Sequence, residues 1–109
     1  VEALASLDLY VRLGAEPDIP TTNLAILHLL RGDDAAALER AEQVAARHST
    51  LLRALVGLVR VAALIGLGRD EEARAAWPAV AATVAEVEEV EADLTLLREE
   101  VARRAPWAR

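Results

Sequence analysis

The sequence contains no cysteine, methionine, phenylalanine or lysine, and two of these absences exclude particular kinds of site. Without cysteine, the chain has no disulfide bond and no thiolate chemistry. Without lysine, it has no lysine clamp for the carboxylates of an acidic peptide tail. All 12 basic residues are arginines, and the net charge is −6. This balance argues against nonspecific nucleic-acid binding and against an anionic membrane surface, which both favour a basic protein surface.

Aromatic and turn-forming residues are scarce as well, with 3% aromatic residues, 4 prolines and 5 glycines. Ala, Leu and Val dominate instead, and Ala and Leu are strong helix formers. We therefore expect an all-α fold in a single domain over residues 1–109, a length that suffices for one hydrophobic core. The chain begins at Val1 and has no methionine, which indicates a fragment of a larger protein. By default we expect a cytoplasmic location.

The most apolar stretch of the chain is Leu51–Leu67, in which the charged residues are Arg53 and Arg60. Seven residues apart, these arginines lie on one narrow stripe of a helix. A helix without a wide polar face must be covered on nearly every side, so we expect this helix at the centre of the fold. The two arginines argue against a membrane-spanning helix. They predict ion pairs with Glu39 or Glu42, or else a recognition stripe.

Hydrophobic periodicity and capping signals divide the rest of the chain into helices. The predicted helices cover residues 1–13, 20–31, 34–48 and 51–67, and a fifth begins near residue 70. We expect Asp33 or Asp34 to cap the third helix and Asp70 to cap the fifth. Pro78 either kinks the fifth helix or starts a new one.

From Pro78 to Arg104 the pattern is again helical. A heptad-like seam is formed by Val80, Val87, Leu94 and Val101, with Val90 and Leu97 at companion positions. As an alternative, Asp93-Leu-Thr95 caps a separate last helix. Ion pairs between residues four apart are expected for Asp70/Arg74, Glu99/Arg103 and Glu100/Arg104.

Two segments of the chain, residues 30–38 and 67–74, repeat one pattern at a distance of 36 residues. Each closes an apolar helix, turns at a glycine, and opens the next helix with acidic residues followed by Ala. This pattern resembles the tetratricopeptide repeat, a helical hairpin of about 34 residues. The positions that match are Leu24, Ala25, Gly32, Ala37, Gly68, Ala73 and Trp77. Other positions depart from the pattern of the family. His28 or Leu64 stands where a Tyr is expected, Arg60 stands where a Leu is expected, and Ser49 replaces the closing Pro.

The resemblance implies a right-handed stack of antiparallel helical hairpins. Its parts are a leading helix (1–16), two repeats (18–50 and 51–83) and a long C-terminal capping helix (84–109). The segment from Gly68 to Trp107 is also similar to the C-terminal tetratricopeptide regions of bacterial adenylate cyclase-like and transcriptional regulators. That similarity implies a sensing or docking module of a bacterial regulator.

The repeat geometry further implies a concave groove lined by the first helices of the repeats. The residues expected to bind a partner are Ile19, Thr22, Ile26, Leu29, Leu55, Leu58, Arg60, Ala62 and Ile65. Most are apolar, so we expect an amphipathic helix or apolar segment of a partner protein there. Alternatively, the chain's own last helix fills the groove, or a second subunit does so in a homodimer.

No catalytic or metal-binding pattern is apparent in the sequence. His28 and His48 lie on different helices, and a metal site would need further convergent ligands. Helix starts account for the acidic pairs near Asp33 and Asp70. The run from Glu86 to Glu91 is a solvated face or a docking strip for a basic partner. Tyr10 and Trp77 are expected in the core, and Trp107 either packs back or anchors on a partner. We predict a non-enzymatic interaction module without cofactor or metal.

Overall fold

The structure, a computed structural model, describes residues 18–44, 50–87 and 92–108, with side chains from residue 21 onwards. Within these ranges every secondary-structure element is helical, as the composition predicts. The helices are α1 (Asp18–Leu30), α2 (Asp34–Glu42), α3 (Thr50–Gly66), α4 (Asp70–Glu86) and α5 (Ala92–Arg104), followed by a 3₁₀ turn at Pro106–Ala108. The helix predicted over residues 1–13 lies outside the described residues, as do Tyr10, His48 and Ser49.

Helix α3 is the centre of the fold, as its sequence predicts. Among the described residues, it packs against each of the other helices. Its buried residues are Ala54, Leu55, Leu58, Val59, Val61, Ala62, Ala63 and Leu64. The polar stripe is formed by Arg53 and Arg60, which are both exposed. Gly57 allows a close approach to α4, because a Cβ atom there would lie 3.0 Å from Cγ2 of Val80.

The turn between α1 and α2 is closed by two backbone hydrogen bonds. The amide of Gly32 donates to the carbonyl of Leu29 at 3.0 Å, and the amide of Asp33 donates to that of His28 at 2.8 Å. Together with φ of 81° at Gly32, this pattern is a Schellman motif. Glycine is favoured there because a left-handed backbone is costly for other residues.

The turn between α3 and α4 repeats this geometry 36 residues later. Gly68, with φ of 77°, donates to the carbonyl of Ile65 at 3.0 Å, and Arg69 donates to that of Leu64 at 2.8 Å. The repeat found in the sequence therefore corresponds to a repeat of backbone structure. The two small residues predicted after the turns, Ala37 and Ala73, are both fully buried.

Successive helices run in alternating directions. Arg53 near the start of α3 lies 3.8 Å from Glu86 at the end of α4, so these two helices are antiparallel. Helix α5 runs in the direction of α3, because Arg104 at its end reaches the carbonyl of Ala62. The Cα radius of gyration is 13.1 Å, close to the value of about 13 Å for a compact domain of about 100 residues.

Several predicted boundaries are wrong. Helix α2 ends at Glu42 rather than at residue 48. Helix α4 continues through Pro78, which therefore starts no new helix. Asp33 is the N-cap of α2, as predicted, but Asp70 is already helical and the cap position of α4 is Arg69, which makes no side-chain cap bond. Arg69 occupies the position of Asp33 in the repeated turn, so the aspartate follows one residue too late to cap.

The continuous heptad seam is also wrong. Helix α4 ends at Glu86, and Val87 is extended with φ of −74° and ψ of 121°. The separate last helix is the alternative that the structure adopts, and Asp93 lies in its first turn. Like charges three residues apart in this acidic run, at Glu86/Glu89 and Glu88/Glu91, disfavour a single helix through it. The same negative charge is favourable at the start of the next helix.

Candidate interaction cleft

The residues predicted to line an open groove lie mostly in the core. Six of them expose 8% or less of their surface: Thr22, Ile26, Leu29, Leu55, Leu58 and Ala62. Ile65 is half-buried and Arg60 is exposed. Ile19 belongs to α1, but its side chain lies outside the described residues. Partner binding at these positions stays a prediction, and in this structure it would require the core to open.

Helix α5 packs against α3. Its buried side chains, Leu94, Leu97 and Val101, belong to the same hydrophobic cluster as Ile26 and Leu58. That this last helix covers the groove residues, one of the alternatives left open by the sequence, stays a prediction.

Arg104 connects the end of α5 to α2 and α3 by hydrogen bonds. Its Nη1 atom donates to Oδ1 of Asp34 at 3.0 Å and to the carbonyl oxygen of Ala62 at 2.8 Å, and its Nε atom donates to Glu100 at 2.6 Å. The side chains of Arg104 and Asp34 expose only 13% and 16% of their surface. Gly66 leaves room for this cluster, because a Cβ atom there would lie 2.8 Å from Nη1 of Arg104.

On the other side of α5, a cleft separates it from α4. We call it the α4–α5 cleft, and its volume is about 780 Å³. It exists because both helices pack against α3 while α5 stands away from α4. The α4 wall is apolar and consists of Trp77, Ala81, Val84 and Ala85, together with Val87 directly after the helix. The α5 wall is mixed and consists of Thr95, Arg98, Glu99 and Ala102.

Two tryptophans lie at one end of the cleft. The ring centroids of Trp77 and Trp107 are 6.3 Å apart, with an angle of 74° between the ring planes. The guanidinium carbon of Arg74 lies 5.4 Å from the centroid of the Trp107 ring, within the range of a cation–π contact. Trp107 thus packs back onto the chain, one of its two predicted placements. Trp77 is half-buried rather than fully in the core.

The charged residues of the α5 wall lack partners within the described ranges. Arg98 and Glu99 form no ion pair or side-chain hydrogen bond there. The predicted Glu99/Arg103 pair is wrong, since Arg103 pairs with Glu100, whereas the predicted Glu100/Arg104 pair is confirmed. These bonds, first that from Arg103 and then that from Arg104, lower the pKa of Glu100 below its ordinary value.

The arginines of α3 lie apart from the cleft and differ from the prediction. Arg53 approaches Glu86 of α4 instead of Glu39 or Glu42. Arg60 is close enough to Glu72 to help lower the pKa of that carboxyl, although the hydrogen bond from Arg69 is the larger cause. Both arginines therefore lie near acidic residues of α4. The Asp70/Arg74 pair is likewise not formed, because Arg74 lies over Trp107.

Neither a metal site nor a membrane span is found in the part of the chain that the structure describes. His28 faces Asp33 at 3.7 Å, and no group of three or more His, Cys, Asp or Glu side chains converges in these residues. None of the described helices combines the length and apolarity needed to cross a membrane.

Sequence reasoning missed the α4–α5 cleft. A signal was present, because Trp77, Ala81, Val84 and Ala85 recur at intervals of three, four and seven and so mark one helix face. This face lies beside another face of α4, which carries the buried Ala73. No protein-family model, curated protein or solved structure matches this chain.

Proposed function

We propose that this chain is a non-enzymatic protein-interaction module, and that the α4–α5 cleft binds the apolar face of a helix from a partner protein. The observation that carries the proposal is the asymmetry of the cleft. Its α4 wall consists of five apolar side chains, of which Ala85 is exposed and the other four are half-buried, while the α5 wall supplies polar groups that would orient a ligand. An amphipathic helix has the matching surface, with an apolar stripe and polar flanks.

The length of the cleft also suits a short helix. The α4 wall between Trp77 and Ala85 extends over about 12 Å, and the α5 wall between Thr95 and Ala102 over about 10 Å, at 1.5 Å per helical residue. A partner helix of two to three turns would span both walls. Small side chains at Ala81, Ala85 and Ala102 allow its backbone to come close.

We further propose a tetratricopeptide-like stack as the scaffold of this module. The two identical Schellman turns, 36 residues apart, support this view, as do the buried small residues that follow them. Helix α5 would then be the cap of the stack. The similarity of the C-terminal segment to bacterial regulators extends the proposal to a docking module of such a regulator.

The experiment compares two alanines of α4 that are both exposed but differ in position. Ala85 lines the cleft and Ala82 does not. Helical peptides selected from a displayed library against the whole chain should lose binding to Ala85→Glu and keep it with Ala82→Glu. Circular dichroism spectra and melting temperatures must match for the two variants.

Two results would contradict the proposal. One is that the selected peptides bind the Ala85→Glu variant as well as they bind the unaltered chain. The other is a concentration-dependent dimer, seen by sedimentation equilibrium, that Ala85→Glu dissociates into monomers. The second result would establish self-association, the alternative function, with another copy of the chain occupying the cleft.

A further inference from the structure

The α5 wall of the cleft carries two charged residues, and an apolar contact between a partner helix and the α4 wall gives no role to them. Arg98 and Glu99 both line the cleft and are exposed. They are adjacent in sequence, and adjacent residues of a helix do not face each other, so they cannot pair with one another well. Other charged residues near the end of α5 are engaged, since Arg103, Arg104 and Glu100 form a connected cluster.

A helix lying in the cleft would remove part of the water around these two charges. Burying a charge without an opposite charge or a hydrogen bond is costly. An occupant with uncharged flanks would therefore be disfavoured, and an occupant with matched charges would be selected. Discrimination by unpaired charges is a common source of specificity between similar partners.

We infer that the partner helix carries one acidic and one basic side chain along the edge of its apolar stripe that faces α5. The acidic residue pairs with Arg98 and the basic residue with Glu99. Because both lie on one edge of the partner helix, they stand three or four residues apart in its sequence. This inference rests on the proposed function, to which it adds the charge pattern of the partner.

The test uses a displayed library of 14-residue helical peptides with a fixed apolar stripe and randomised edge positions. The targets are the whole chain and its double variant Arg98→Glu/Glu99→Arg, which has the same net charge. The unaltered chain should enrich peptides with one acidic and one basic edge residue. The double variant should bind those peptides at least about fivefold more weakly, the factor expected for an exposed ion pair worth about 1 kcal/mol. It should also enrich the reversed order of charges.

The control variant Ala85→Glu separates the two ways in which this test can fail. If the selected peptides lose binding to Ala85→Glu but show no edge-charge preference and no response to the charge swap, the inference is wrong and the proposed function stands. If no selected peptide responds to Ala85→Glu, the proposed function itself is wrong. Matching circular dichroism spectra for all variants exclude unfolding as the cause.

Discussion

The Nη1 atom of Arg104 lies 3.0 Å from Oδ1 of Asp34, and this contact joins the end of α5 to the start of α2 across 70 positions of the chain. Both side chains are largely buried. The contact lies next to the turn that closes the second hairpin, since Arg104 also binds the carbonyl of Ala62. One arginine therefore connects α2, α3 and α5, and it helps to fix the position of α5 from which the α4–α5 cleft arises.

Replacing this arginine should destabilise the fold. Arg104→Met keeps much of the apolar stem but leaves Asp34 and Glu100 partly buried without their shared partner. We expect the free energy of unfolding to fall by about 2 kcal/mol, below the range for a fully buried pair because water still reaches the site. Urea denaturation measures this change. The matched control is Arg103→Met, whose side chain is 69% exposed, and which should lower the free energy of unfolding less than Arg104→Met does. Equal losses for the two variants would contradict the role of Arg104.

Gly66→Ala tests the space around this arginine. An alanine in place of glycine normally stabilises a helix by about 1 kcal/mol. Here the added Cβ atom would lie 2.6 Å from Cγ of Asp34 and 2.8 Å from Nη1 of Arg104, so the ends of these two side chains must shift and the bond between them is weakened. We expect a net destabilisation of up to about 1 kcal/mol, because the weakened charge-assisted bond outweighs the helix propensity.

A double-mutant cycle isolates the cause of this effect. In the background Asp34→Ala the clash with the carboxylate is gone, so the same Gly66→Ala change should become neutral or stabilising. The difference between the two backgrounds is the coupling energy. An identical effect of Gly66→Ala in both backgrounds would show that Asp34 has no part in it.

The stability of the chain should depend on pH through Glu100. Hydrogen bonds from Arg103 and then Arg104 lower its pKa in the folded state below the ordinary value of 4.5. A carboxyl whose pKa is lower in the folded state binds protons more readily when unfolded, so it adds stability above about pH 4.5. This contribution is lost as the pH falls through the folded-state pKa.

Comparison with Glu100→Gln at two pH values measures the contribution. At pH 7 the variant should unfold more easily than the unaltered chain, by about 1 kcal/mol for a partly exposed cluster. At pH 3 the difference should shrink, because protonation weakens the same bonds in the unaltered chain. A difference that stays constant between pH 7 and pH 3 would argue against a lowered pKa at this site.

Local patterns in the sequence predicted the helical class, the central position of α3 and the two glycine turns. These features follow from neighbouring residues, since a helix-wide apolar surface requires cover and a Gly after an apolar helix marks its end. The last helix was harder to place. The spacing of Val80, Val87, Leu94 and Val101 fits one long helix. The signal in the sequence that favours two helices is the run of negative charge between Glu86 and Glu91.

The cleft and the Arg104 cluster could not be predicted because they depend on how distant segments pack. Asp34 and Gly66 share no local pattern with Arg104, and their proximity arises from the alternating directions of the helices. The predicted groove failed to appear as an open surface for the same reason. Most of its residues are buried in the core, but the sequence could not decide whether α5, a second subunit or another protein would lie against them.

Trp107 should stabilise the position of α5 from the side of the cleft. Its ring meets Trp77 edge to face and lies under the guanidinium group of Arg74. Trp107→Ala removes both contacts from a half-buried site, and we expect a loss of about 2 kcal/mol, less than for a fully buried tryptophan. Arg74→Met removes the cation alone and should cost about 0.5–1 kcal/mol. In a chain that already carries Trp107→Ala, the Arg74→Met change should cause no further loss of stability. Thermal denaturation of the unaltered chain, the two single variants and the double variant gives the coupling energy between the two residues. If Arg74→Met is equally costly without Trp107, the arginine acts elsewhere and the ring contact does not stabilise the fold.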